Sequence, residues 1–274
     1  PASSSWPGGI PPEVVAVGDT AAGFAASGEI TKVGQGVSVE LKSNDPYKRW
    51  VQTSVIRGTA NGSISAIAYA PLGDITAAQF MALAQIQRNL NADVRLTNRQ
   101  NVVFRALSED QLEVLYKALE AIGMAAPGAE LARDVVACPG SDTCNIAITQ
   151  SRGLAKAIGE ALEEEGLAEV GGVRINISGC TNSCGQHHAS DIGFFGAERR
   201  AHGQAAPGYQ MLLGGYVGEE QIFFGEKALR VPAKNAPQAV TRVVRRFAEE
   251  RSAGETFRAW MDRSGGASAV AVGL

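Results

Sequence analysis

The placement of its four cysteines constrains this chain more than any other feature: Cys138-Pro-Gly-Ser-Asp-Thr-Cys144, then 35 residues, then Cys180-Thr-Asn-Ser-Cys184. If the four thiols act together, the fold must bring two loops that are distant in sequence side by side. Four cysteines in 274 residues are too few for a disulfide scaffold, and a reducing compartment keeps thiols free for metals or catalysis. Each pair follows a predicted strand and lies beside Gly or Pro. Backbone N–H groups and a helix N-terminus can there offset thiolate charge. Gly140, Gly179 and Gly185 allow close backbone approach to bulky sulfur. Thiolates are the protein ligands of iron–sulfur clusters, and four of them complete one [4Fe–4S] cube. The alternatives are structural zinc, which favours pairs about two to four residues apart, disulfides, which call for secretion, and unrelated buried cysteines, which rarely fall into two Gly-flanked pairs.

The segments around the cysteines read as α+β. Ser63 to Ala70 is strand-like and ends in a Pro-Leu-Gly-Asp turn. Thr76 with Gln79 forms a capping-box signature for a helix whose Phe80, Leu83, Gln87 and Leu90 share a stripe. Two strands follow, Asp93 to Leu96 and Asn101 to Ala106, separated by the polar Thr97-Asn98-Arg99-Gln100 corner. Ser108 with Gln111 repeats the capping box, and the helix with Leu112, Leu115, Leu119 and Ile122 stops at Gly123. This β-α-β-β-α order is most of a ferredoxin-like unit, helices on one face of an antiparallel sheet.

Beyond residues 125–128 the predicted order is strand Asp134 to Ala137, the first cysteine pair and a long helix to Gly166. Strand Val173 to Ile177, the second pair and strand Asp191 to Phe195 come next. Strands near Tyr209 to Leu213 and Gln221 to Phe224 precede a helix from Pro237 to Arg251. Upstream, only Val33 to Leu41 alternates like a half-buried strand. The expected division is 1–45 linker and end of a preceding domain, 46–125 ferredoxin-like half-domain, and 126–274 a cofactor-binding domain with a mixed sheet.

Composition excludes several classes. With 25 Lys and Arg against 28 Asp and Glu, the net charge of −3 gives no general affinity for nucleic acid or anionic membranes. Apolar runs such as Ile64 to Leu72 fall short of the roughly 18 to 20 residues of a membrane span. Pro1 to Pro12 has neither the basic nor the apolar part of a signal peptide, so a cytoplasmic location is expected.

The stretch Gly179-Cys180-Thr181-Asn182-Ser183-Cys184-Gly185-Gln186-His187-His188-Ala189-Ser190-Asp191-Ile192-Gly193-Phe194-Phe195-Gly196, with Cys138-x5-Cys144-Asn145 upstream, closely resembles the siroheme and iron–sulfur signature of assimilatory nitrite and sulfite reductases. Thr181 stands where that family usually has Pro. Tyr47-Lys48-Arg49-Trp50, Pro71-Leu72-Gly73-Asp74 and Val94-Arg95-Leu96-Thr97-Asn98-Arg99-Gln100-Asn101 look like the half-domain preceding the cysteines in the second half of such enzymes. The resemblance implies Cys138, Cys144 and Cys180 as cluster ligands and Cys184 as a ligand shared between the [4Fe–4S] cluster and the siroheme iron. It implies ferredoxin as electron donor and nitrite or sulfite as substrate, with the Cys184-Gly185-Gln186-His187-His188 continuation closer to nitrite-reducing and mixed-specificity members.

Siroheme carries many carboxylates and calls for Arg, Lys, Asn and backbone donors. Arg99, Gln100, Asn101, Asn145 and Asn182 are the candidates, with solvated loop cation or turn-former as the alternative roles. Arg95 alternates with apolar neighbours on its strand and could face solvent. His187 and His188 could relay protons, and Asp191 is expected to cap or pair structurally. Members of the family have two ferredoxin-like halves and two larger domains, and this chain has one of each. It is therefore expected to be a fragment or split half needing an N-terminal half or second subunit, or else a compact reductase completed by homodimerisation. The other functional readings are an iron–sulfur electron-transfer module and a silent half that binds a partner.

Overall fold

The computed structural model describes residues 44–58, 63–201, 204–218 and 221–274. The strand expected over Val33 to Leu41 lies outside them. Asp45 starts the first described helix: its carboxylate accepts the N–H groups of Tyr47 (2.9 Å) and Lys48 (3.2 Å), and Pro46 fits the first turn, where no N–H is needed. This helix, α1 (Pro46–Ser54), buries Trp50 and runs directly into β1 (Val55–Arg57).

Next come β2 (Ile64–Ala68), α2 (Ala77–Leu90), β3 (Asp93–Leu96), β4 (Val102–Leu107) and α3 (Glu109–Ala121). The sheet is antiparallel throughout, in the order β1-β2-β4-β3. It has the ferredoxin-like arrangement, with the outer strand beside β2 supplied by β1 from upstream. Both capping boxes form: Gln79 Oε1 accepts the Thr76 N–H (2.9 Å) and Gln111 Oε1 the Ser108 N–H (3.0 Å). Helix α3 buries Leu112, Leu115, Tyr116 and Leu119 against Trp50 and Phe104. The stripe expected on α2 is displaced: Leu83 and Ile86 face the core, while Phe80 is 52% exposed.

The second sheet contains β5 (Val136–Ala137), β6 (Ile175–Ser178), β7 (Ile192–Ala201), β8 (Gln204–Leu213) and β11 (Glu226–Pro232), in the order β11-β8-β7-β6-β5. Strands β5, β6 and β7 run parallel, and β8 and β11 are antiparallel additions. A parallel pair requires a crossover, which α4 (Ser151–Glu164) supplies between β5 and β6. Helices α5 (Ala236–Glu250), α6 (Phe257–Arg263) and α7 (Ala267–Val270) complete a core around Ile158, Ile175, Phe194, Phe247 and Trp260. A separate two-stranded hairpin, β9 (Tyr216–Val217) with β10 (Ile222–Phe223), stands off the main sheet. Among the described residues, no helix is long and apolar enough to cross a membrane.

A buried polar cluster ties the two sheets together. Asn101 Oδ1 accepts the Ala70 N–H (2.9 Å), and its Nδ2 donates to Asp134 Oδ2 (2.7 Å). The same carboxylate oxygen accepts the Glu130 N–H (2.9 Å). Arg99 donates to the carbonyls of Glu130 (3.1 Å) and Asp134 (2.8 Å), with its Nε 3.6 Å from the Glu130 carboxylate. Burial pushes the Asp134 carboxyl up from its ordinary value, and the Arg99 charge opposes that rise. The strand expected from Asp134 is shorter: Asp134 serves the cluster, the Val135 N–H turns back to Arg133 O, and only Val136–Ala137 pair with β6.

Replacing Asp134 by Ala leaves the Asn101 Nδ2 and Glu130 N–H donors without their acceptor, while Arg99 keeps the Glu130 carboxylate and the two backbone carbonyls. The expected loss is about 1–3 kcal/mol for each buried donor left unsatisfied. Denaturant unfolding of Asp134→Ala should show the lowered midpoint, and Asp134→Asn a smaller fall.

Candidate metal centre

Strand β5 ends at Ala137, so Cys138 is the first residue off the sheet, its N–H still donating to Ile177 O (3.1 Å). A tight turn over Gly140–Asp142 follows, and the Cys144 N–H returns to Gly140 O (2.9 Å). Strand β6 ends at Ser178, placing Gly179 and Cys180 at the same end of the sheet. The two loops then interlock. Gly179 O accepts the N–H groups of Ile148 (2.8 Å) and Thr149 (3.1 Å), and the Gly179 N–H donates to Cys138 Sγ (3.2 Å). A Cβ on Gly179 would lie 2.9 Å from both Gly140 Cα and Thr149 O, so only glycine permits this approach. Gly196 on β7 is equally confined, a Cβ there meeting Gly179 O at 2.2 Å.

Cys184 is anchored through its neighbour. The Gly185 N–H donates to Ser178 Oγ (3.0 Å), and Gly185 O accepts from Asn176 Nδ2 (2.9 Å). Ser178 and Asn176 are alternate residues of β6 and therefore point to one side. Neither was expected at the site, although two polar residues at i and i+2 in the apolar run Ile175-Asn176-Ile177-Ser178 are a readable signal. Ser151, at the start of α4, was also missed; its Oγ donates to Cys138 O (2.6 Å) and lies 3.4 Å from Cys138 Sγ.

All four cysteines are free thiols; Cys138, Cys144 and Cys180 are half-buried and Cys184 is exposed. Among the described residues, no three His, Cys, Asp or Glu side chains converge on one ion. A lone zinc gathers its ligands at about 2.0–2.3 Å from one centre, whereas a cube spreads four thiolates over four irons. The free thiols, the glycine cradle and the N–H donor on Cys138 Sγ suit an anionic iron–sulfur cluster better than a disulfide or a single cation.

The other expected residues divide. Gln100 reaches the base of the first loop, its Nε2 donating to Ala137 O (3.3 Å), and Asn145 and Asn182 are exposed beside Cys144 and within the second loop. Arg99 and Asn101 point inward, their side chains occupied by Glu130, Asp134 and Ala70. Arg95 pairs with Asp93 at the surface. His187 is fully buried, with Nδ1 2.8 Å from Ser178 Oγ and its ring against those of His188 and Phe195. Burial first, then the neighbouring His188, lowers its pKa to about 4, so it is neutral near pH 7. Asp191 has the expected structural role, Oδ2 accepting the Arg174 N–H (2.8 Å).

Residues 128–271 match the family model described as "Nitrite and sulphite reductase 4Fe-4S domain", and residues 60–122 match "Nitrite/Sulfite reductase ferredoxin-like half domain". A ferredoxin–nitrite reductase of Synechococcus elongatus is 36% identical over 67% of this chain and 36% of its own length. A ferredoxin sulfite reductase of Mycobacterium tuberculosis is 29% identical over 80% of this chain and 41% of its own. The structure of the Mycobacterium tuberculosis NirA protein superposes with a TM-score of 0.66 at 29% identity, covering 77% of this chain and 40% of that one. The chain thus spans about two fifths or less of the length of these relatives.

Burial raises the Asp191 carboxyl to about 7, against the opposing Arg174 N–H and the charges of Arg174 and Arg99. Between the ordinary aspartate value of about 3.9 and that point, the folded state binds more protons than the unfolded state. Stability therefore falls as pH rises through this window. Asp191→Asn keeps an acceptor for the Arg174 N–H and cannot ionise, so its unfolding midpoint should fall less steeply than wild type between pH 4 and 7.

Proposed function

The chain belongs to the nitrite and sulphite reductase family, and from that premise we propose that Cys138, Cys144, Cys180 and Cys184 hold a [4Fe–4S] cluster, with Cys184 also ligating siroheme iron, in the ferredoxin-linked reduction of nitrite to ammonia or sulfite to sulfide. The observation that carries this reading is the glycine-to-glycine contact of Gly179 with Gly140, which holds both cysteine loops at one end of the sheet. When bound, the cluster and siroheme supply six successive one-electron transfers to a single anion.

The chain's own residues do the holding. The Gly179 N–H on Cys138 Sγ stabilises the thiolate, as hydrogen bonds to cluster sulfur do. Ser178 and Asn176 hold Gly185 by its N–H and its carbonyl, so the backbone that carries the exposed Cys184 is fixed, and Cys184 would hold siroheme iron there. Gln100, Asn145 and Asn182 are the polar side chains we assign to the siroheme periphery. Arg99 serves instead to position the strand that leads to Cys138, because its guanidinium is bound to the 130–134 segment. We place the division between half-domain and cofactor domain near residue 125. The cations for the substrate anion come, in this reading, from the complementary half of the enzyme.

Anaerobic purification of the full-length protein carrying this chain should yield one [4Fe–4S] cluster per chain, siroheme absorption bands, and reduced-dye-dependent formation of ammonia or sulfide. Measuring rates with nitrite and sulfite side by side identifies the preferred anion. Iron and sulfide without tetrapyrrole would reduce the proposal to an electron-transfer module, and absence of both would overturn it. Gly179→Ala should lose most of its cluster while keeping a native far-ultraviolet circular dichroism spectrum.

A further inference from the structure

The buried hydroxyl of Ser151 meets Cys138 at two atoms. Its Oγ donates to Cys138 O (2.6 Å) and lies 3.4 Å from Cys138 Sγ, within hydrogen-bond reach of sulfur. A hydroxyl has one hydrogen to give. With that hydrogen on the carbonyl, the contact with sulfur is completed by the thiol, whose S–H donates to Oγ. As a free thiol, Cys138 therefore satisfies the hydroxyl and is satisfied by it.

A thiol that coordinates a metal gives up its hydrogen. The lone pairs of Ser151 Oγ would then face an anionic sulfur with no hydrogen between them. The side chain has no room to retreat: Ser151 is wholly buried at the start of α4, and Tyr209 OH holds the preceding Gln150 by its carbonyl (3.0 Å). The first cysteine loop closes on the hydroxyl from the other side, where a Cβ on Gly140 would meet Ser151 Oγ at 2.3 Å. Turning the hydroxyl hydrogen from Cys138 O to Sγ needs no displacement of heavy atoms. A hydrogen bond to a charged acceptor is roughly twice as strong as a neutral one, and enclosure away from water favours it further.

Building on the cluster reading, we propose that Ser151 is a donor to the ligated sulfur of Cys138, its hydrogen turning from Cys138 O to Sγ when the thiol becomes a ligand, and that this bond raises the reduction potential of the centre. The sulfur then has two donors, the Ser151 hydroxyl and the Gly179 N–H (3.2 Å). Reduction adds negative charge to the cluster and its ligands, so both bonds are stronger in the reduced state, and hydrogen bonds to the sulfurs are among the factors that set such potentials. No proton is transferred; the bond biases a one-electron equilibrium.

The test uses the full-length, anaerobically purified protein, with iron and sulfide quantified first. Absence of a cluster in wild type would overturn the cluster reading and this inference with it. With the cluster present, Ser151→Ala removes the donor, and reduction of the centre should become about tenfold less favourable, a fall of about 59 mV for a one-electron couple. Ser151→Thr keeps the hydroxyl and should restore most of the potential. Pulsed electron paramagnetic resonance of the reduced centre in D₂O separates the bond from a general loosening of the loop. A deuteron coupling present in wild type and lost in Ser151→Ala supports the inference. Equal potentials in wild type and a fully loaded Ser151→Ala, or a fall with the deuteron couplings unchanged, would overturn it and leave the cluster reading standing. Should Ser151→Ala fail to load, ¹⁷O-serine labelling decides. A contact coupling of a serine oxygen to the cluster spin, persisting when Ser141 and Ser183 of the cysteine loops are replaced by Ala, supports the bond, and its absence overturns it.

Discussion

The approach of Gly179 to Gly140 and Thr149 is the contact on which the site depends. Two parallel strands, β5 and β6, end side by side, but parallel neighbours alone leave the loops that follow free to splay. Here the Gly179 peptide is held on both sides: its carbonyl receives Ile148 and Thr149, and its N–H faces Cys138 Sγ. Any side chain at 179 would wedge the loops apart, and any at 196 would press on the carbonyl from β7. The two cysteine loops meet through backbone packing rather than through attraction between their thiols.

The Arg99–Asp134 cluster extends that constraint across the molecule. Asp134 lies four residues before Cys138, and its carboxylate is bonded to Asn101, just before β4, and to the Glu130 N–H. The ferredoxin-like sheet therefore sets where the strand leading to the first cysteine begins. Gln100, bonded to Ala137 O, adds a second tie one residue before Cys138. In this arrangement the polar corner between β3 and β4 acts on the cysteines through the backbone, and a charged residue in it can be buried, as Arg99 is, because every carbonyl it meets is an acceptor.

These relations explain what could be read in advance. Both capping boxes were legible because they are local, a side chain and a backbone group three residues apart, and Asp93–Leu96 was legible for the same reason. The α1–β1 unit was not: β1 has only three residues, too few to show a period, and its identity as the fourth strand is set by pairing with β2. Strand β11 escaped because it is an edge strand with mostly solvent-facing residues, and α6 and α7 because seven and four residues show no amphipathic period. At the site, spacing placed the cysteines after strands, where they are. Arg99 and Asn101 are cofactor-contact candidates in sequence, and their internal acceptors, at 130 and 134, are not legible there because they lie some thirty residues away.

Charge balance limits what the described residues around the cysteine loops do for an anionic centre. A thiolate-ligated cluster is anionic, as are a carboxylate-bearing macrocycle and a nitrite or sulfite ion. The groups that meet Cys138 Sγ are the Gly179 N–H and the Ser151 hydroxyl, which temper negative charge without cancelling it. Three arginines are already matched: Arg99 with Glu130 and Asp134, Arg152 with Asp74, and Arg258 with Glu226 and Asp262. Opening those pairs to serve an anion would strand their acidic partners, at a cost that grows with burial. Exposed Ile146 and Ile148, just after Cys144, favour an apolar covering on the same side. These three arginines are thus committed to the fold rather than to an anion, and this chain accounts for 36–41% of the length of the relatives compared.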